Sequence, residues 1–163
     1  MCAPLFRAAI ITFAALLAAC PAIAAGPRHP TAAAAKGEPV QKPHRVVIQV
    51  DQNDPAVMNL ALNNASNVID YYRSQKQEVS VDLVTYGPGL HMLRADTSPV
   101  KDLFRVVRGL APDIRFVVCE ATKLGMERAE GHPLVLLDNV DLVPNGPGRI
   151  IELQEAGWSY IRS

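Results

Sequence analysis

At 163 residues, 49% of them hydrophobic and 20% charged, the chain has the composition of one ordinary globular domain, long enough to bury a proper core. Its 16 basic and 16 acidic side chains cancel, and only 6% of residues are aromatic. A protein with no basic stripe and no stacking platform is not built for nucleic acid, which is excluded as a partner class. No His, Cys, Asp and Glu spacing forms a metal motif, and no cofactor is expected.

The N-terminal stretch reads as a targeting signal. Arg7 precedes an apolar run over residues 8–19, of signal-peptide length and too short to span a bilayer, and Ala22-Ile23-Ala24 has the small-x-small pattern of a cleavage site. Residues 1–24 are therefore expected to be a signal peptide and the domain periplasmic or secreted. Leu17-Ala18-Ala19-Cys20 offers an alternative, a lipobox that would anchor the chain to a membrane through Cys20, although Pro21 is unusual after such a cysteine. Residues 25–43 hold Gly26, Pro27, Pro30, an alanine run, Gly37, Pro39 and Pro43 with hardly any large apolar side chain, the composition of a disordered linker. His29 and His44 fall in or beside it, too far apart for a local metal motif. The folded domain is expected over 44–163.

The β-branched run over 45–50 suits a strand buried on both faces. Asp54-Pro55 then supplies an N-cap and an N1 proline for a helix to about Gln75. That helix puts Val57, Ala61, Ala65, Val68 and Tyr72 on one face, with Met58, Leu62 and Ile69 beside them. Asn59, Asn63, Asn67 and Asp70 lie opposite, a wet row or a face toward a neighbour. Residues 78–86 alternate less toward their end, as a strand does when it enters a sheet from an exposed edge. The strand stops at Gly87-Pro88-Gly89, a turn that lets backbone approach a ligand but lacks the lysine and spacing of a P-loop.

A short helical turn over 90–94 carries His91, and Ser98-Pro99 opens a helix to about Leu110. A strand over 114–119 ends on Cys119 and runs into a helix over 120–129 with Thr122 and Lys123 in its first turn. Gly131-His132-Pro133 breaks that helix. Residues 134–143 fit a hairpin about Asp138-Asn139 or a helical turn followed by a strand over 140–143; periodicity does not choose. Pro144-Asn145-Gly146-Pro147-Gly148 forms a second Gly-rich turn, followed by a helix over 149–156, Gly157 and a last strand over 158–161.

This alternation predicts the α/β class: a single three-layer αβα domain with about five mainly parallel strands. A flavodoxin-like order 2-1-3-4-5 places the topological switch point between the first and third strands. Asn53 after the first strand, Gly87, Gly89 and His91 after the second, Cys119 after the third, and Asn145 with Gly146 after the fourth then share the ligand-binding rim.

Cys119 is the candidate reactive group. A thiol at the first turn of a helix meets unpaired N–H groups and the positive end of the helix dipole, which favour thiolate. Against this, a free cysteine often serves as a small buried hydrophobe. Cleavage after Ala24 removes Cys2 and Cys20 and leaves Cys119 alone, so a two-cysteine mechanism within one chain is excluded. The 51–55 stretch has no glycine for a dinucleotide fingerprint, and His91 and His132 have no motif marking either as the base of a cysteine hydrolase.

Four stretches carry a resemblance to a known family: Leu60-Ala61-Leu62-Asn63-Asn64-Ala65, Val84-Thr85-Tyr86-Gly87-Pro88-Gly89, Phe116-Val117-Val118-Cys119 with Thr122, and the ending from Leu153-Gln154-Glu155-Ala156 to Gly157-Trp158-Ser159-Tyr160-Ile161. Over 45–163 the chain resembles the DsrE/DsrF-like proteins of sulfur-relay systems. That resemblance implies the five-stranded αβα fold, a helical turn before Val140, and homo-oligomers of three or six subunits. In the family's sulfurtransferase members the cysteine matching Cys119 carries sulfur as a persulfide. The mechanism expected here is transfer from a donor to an acceptor thiol through Cys119, the helix N-terminus stabilising the anion with Thr122 and Lys123 as helpers. Family members often carry Asn where this chain has Ala121. The competing expectation is a noncatalytic oligomer that binds a small ligand or protein at the same rim, with Cys119 as packing.

Overall fold

The structure is a computed structural model that describes residues 42–163. The expected signal peptide, Cys2, Cys20, His29 and the linker to residue 41 lie outside the described residues. The elements are β1 (His44–Val50), α1 (Pro55–Ser74), β2 (Val79–Thr85), a 3-10 turn (Gly87–Leu93), α2 (Lys101–Leu110), β3 (Ile114–Cys119), α3 (Glu120–Glu130), β4 (Asp141–Val143), α4 (Gly146–Glu155) and β5 (Ser159–Arg162).

All five strands are parallel, in the order β4-β3-β2-β1-β5. The α/β class and the layered architecture are as expected; the order 2-1-3-4-5 is not. β1 pairs with β2 and β5, and β3 with β2 and β4, so β1 and β3 never touch. The fading alternation over 78–86 does not mark an edge: the structure seats β2 at the centre and buries Asp82, the carboxylate in its middle, completely beside Arg115 and Arg149.

Three successive right-handed crossovers step the same way along the sheet and put their helices on one face, while the return from β4 to β5 carries α4 to the other. The two cores follow this division. On the first face Val46, Ile48, Val50, Leu83, Phe116 and Val118 meet Met58, Leu62 and Ile69 of α1, Leu90, Met92 and Leu93 of the 3-10 turn, and Phe104 and Val107 of α2. On the second face Val47, Val84 and Val117 meet Ile150 and Leu153 of α4.

Local chemistry sets the boundaries. Asp54 caps α1 by accepting the Ala56 N–H at 2.7 Å, with Pro55 in the first turn. The asparagine row of α1 stays exposed, and His44 stacks on Tyr72 at 3.8 Å as the first residue of β1. Ser98 donates to the Met92 carbonyl and accepts the Val100 N–H, so α2 begins only at Lys101. Neither the hairpin nor the helical turn forms over 134–140. That segment instead lies against the end of the 3-10 turn, through an antiparallel bridge between Leu136 and Arg94 and hydrogen bonds from Ala95 N–H to Val135 and from Leu137 N–H to Leu93. Backbone partners in another segment replaced those within its own.

Candidate functional site

Because α3 leaves β3 on one face and α4 leaves β4 on the other, the two connections diverge between these neighbouring strands. That makes the β3/β4 boundary the crevice where an open α/β sheet receives ligands. The expected switch point thus moves from β1/β3 to β3/β4, and Cys119 remains at it.

Hydrogen bonds tie the strand exits together in sequence. The Tyr86 N–H donates to the Val50 carbonyl at 3.2 Å, joining the ends of β2 and β1. The Gly87 N–H donates to Thr122 Oγ1 at 3.0 Å, joining β2 to the first turn of α3. The Ala121 N–H donates to the Pro144 carbonyl at 3.3 Å, joining that turn to the end of β4. Asn145 then caps α4 by accepting the Gly148 N–H at 2.8 Å.

Cys119 lies within this frame as the N-cap residue of α3, 2% exposed, without the side-chain capping bond a Ser or Asp would make. Burial raises the pKa of the thiol, but the Thr122 hydroxyl and the N–H groups of Gly146, Thr122 and Ala121 more than offset this and leave it below the ordinary thiol value. The Thr122 oxygen already accepts from Gly87, which leaves the hydroxyl proton free for the sulfur. Gly146 packs so closely that an added Cβ would stand 3.0 Å from the Cβ atoms of both Cys119 and Tyr86.

Of the predicted residues, the structure gathers Cys119, Thr122, Gly87, Asn145 and Gly146. Others lie elsewhere. Asn53 remains in the exposed loop after β1, and β2 separates its strand from β3. Gly89 makes a close backbone approach, but to its own chain: a Cβ there would meet the Val50 carbonyl oxygen at 2.2 Å. His91 Nδ1 shares a 2.8 Å hydrogen bond with Thr97, and His132 contacts Glu130 and Pro133, so neither is engaged as a base for the thiol. Lys123 pairs with Glu127 at 2.6 Å. Ala121 contributes its N–H rather than a side chain.

Sequence reasoning missed Tyr86. The ladder aligns Thr85 with Val118, which sets Tyr86 level with Cys119 on the same side of the sheet. Burial, Asp51 and Tyr160 raise its pKa, against the opposing pull of Arg162. The alternation of β2 would have found it had β2 and β3 been recognised as neighbours.

A groove of about 310 Å3 opens beside the site, lined by Val143, Pro144, Asn145, Gly148, Arg149 and Glu152. Larger grooves of about 620 Å3, between α2 and the 135–139 segment, and about 470 Å3, between α1 and β5, do not include the cysteine. None of the three is lined by Cys119, so the chemistry at the strand exits, rather than a cavity, marks the candidate site. Among the described residues no three His, Cys, Asp or Glu side chains gather to hold a metal ion, and no helix is long and apolar enough to cross a membrane.

No family model matches the chain, and no curated protein does. Among solved structures it is similar to MTH1491, a protein of unknown function from Methanobacterium thermoautotrophicum, with 31% identity and a TM-score of 0.61. The match covers 74% of this chain and 99% of that one.

Proposed function

We propose, from the setting of its cysteine and the motifs described above, that this chain, which belongs to the same family as MTH1491, carries sulfane sulfur on Cys119. The reading places it with the DsrE/DsrF-like sulfur-relay proteins that its motifs resemble. One observation carries the proposal: the thiol at the β3/β4 crevice faces a hydroxyl and three N–H groups that favour its ionised form.

The Cys119 thiolate attacks the outer sulfur of a donor R–S–SH. The donor S–S bond breaks, R–S⁻ leaves with the electron pair, and a new S–S bond forms on Cys119 with the proton retained on the outer sulfur. An acceptor thiolate then attacks that outer sulfur, receives it as its own persulfide, and returns Cys119 to thiolate. Neither step changes the overall oxidation level, so no external oxidant or reductant enters. The same reading makes the protein an exported homo-oligomer of three or six subunits, served by thiols outside the cytoplasm. Cell fractionation and light scattering test those two points.

The near-complete burial of Cys119 favours a second reading, in which the thiol is packing and the rim binds a ligand or protein without chemistry. Alkylation by iodoacetamide separates the two. Sulfur carriage predicts reaction of the native protein with a midpoint below that of a free thiol. Inertness until denaturation would leave only the binding reading.

A further inference from the structure

Asp82 is fully buried on the α4 side of β2, and its Oδ2 receives Arg149 of α4 at 3.1 Å and Arg115 of β3 at 3.4 Å. Arg115 continues to Asp141 of β4 at 2.9 Å, so one run of charges links three strands and the helix across them. The pairing is incomplete, since Asp82 Oδ1 and Arg149 Nε are both buried without a partner. As a source of stability this is a poor arrangement, because apolar side chains of similar volume serve as well or better than a buried ion pair. α4 already has such an anchor in Ile150 and Leu153.

The ion pair supplies what an apolar contact does not, a fixed position of the helix along the sheet. Arg149 lies three residues after Gly146, on the same side of α4. Gly146 is the residue in direct contact with Cys119 and Tyr86. We propose that Asp82 and Arg149 are positioning residues for Cys119: their ion pair, buried at its Asp82 end, locks the first turn of α4 onto the thiol and keeps the Gly146 N–H against the sulfur. This rests on the reading of Cys119 as a working thiolate and concerns how the thiolate is held, not what it carries. Thr122 and Ala121 act on the sulfur from α3 independently of the pair, so its removal weakens the site without abolishing it.

The test is the pH profile of Cys119 alkylation in the full chain, with a thermal melt to establish folding. Asp82→Asn and Arg149→Met move the midpoint upward and slow reaction near neutral pH by about tenfold, the equivalent of one pKa unit, while the rate of the fully ionised thiol is kept. Arg149→Lys keeps the charge but not the planar fork, and gives a smaller shift in the same direction. Ile150→Val, which loosens only the apolar anchor, leaves the midpoint in place. An unchanged midpoint in folded Asp82→Asn or Arg149→Met overturns the proposal, as does an equal shift from Ile150→Val. Should neither of the first two fold, an unchanged midpoint in Arg149→Lys overturns it. Sulfur loading on the same samples separates the two readings. A wild type with a depressed midpoint that takes up no sulfur defeats sulfur carriage alone; one that takes up sulfur alongside variants with its own midpoint defeats the positioning role alone.

Discussion

Thr122 joins two strand exits through one oxygen atom: it accepts the N–H of Gly87 after β2 and turns its own proton toward the sulfur that ends β3. Thr122→Val keeps the shape and removes both interactions. A lowered thiol pKa means more thiolate at neutral pH, so loss of the hydroxyl raises the midpoint toward that of a free cysteine and slows alkylation below it. A variant with the wild-type profile would remove Thr122 from the account. Gly89 is the contrasting residue at this scale. Any side chain there must displace the backbone of Val50, so Gly89→Ala is expected to cost about 2–3 kcal/mol, at the upper end for overpacking, measured by urea unfolding. The sequence marked both glycines of the Gly-Pro-Gly turn as open to a ligand. It could not disclose that Gly89 faces β1, because that contact exists only after β1 and β2 pair.

At the scale of elements, the 3-10 turn and α3 are clamped by Arg94, which is 2% exposed and bonds both Asp96 and Glu130. The Arg94 guanidinium holds both carboxyls below the usual carboxylate range. Carboxylates with lowered folded pKa values stabilise the protein above the unfolded value, near 4, and lose that contribution as pH falls through the folded value. Thermal melts between about pH 7 and pH 3 should therefore show a fall in stability with acid that is shallower in Glu130→Gln. An identical slope in the variant would mean that the clamp contributes nothing. α4 offers a second check, since Leu153 is the deeper part of its apolar anchor: Leu153→Ala is expected to cost about 2–5 kcal/mol by urea unfolding. Helix boundaries were legible where a side chain marks them, as Asp54 and Pro55 do for α1. They were not legible over 134–140, where partners more than thirty residues away decide the conformation.

For the whole molecule, the α/β class followed from the alternation of patterns, but strand order did not, because fading alternation within a strand does not say which strands lie beside it. Asp82 has its partners on β3 and α4, so only the assembled sheet explains it. Cys119 was legible through that error because it rested on a local feature, a thiol where a strand meets a helix, which survives any permutation of the strands. The switch point that the topology creates at β3/β4 brings Gly146 and Thr122 to it and leaves Asn53, His91 and Lys123 turned to other surroundings. The most direct measurement of the central claim is mass spectrometry of the native protein after exposure to a persulfide donor. The account predicts one added sulfur atom on the Cys119 peptide, removed by a thiol reductant and absent from Cys119→Ala; a native protein that alkylates at Cys119 but never gains that sulfur would contradict it.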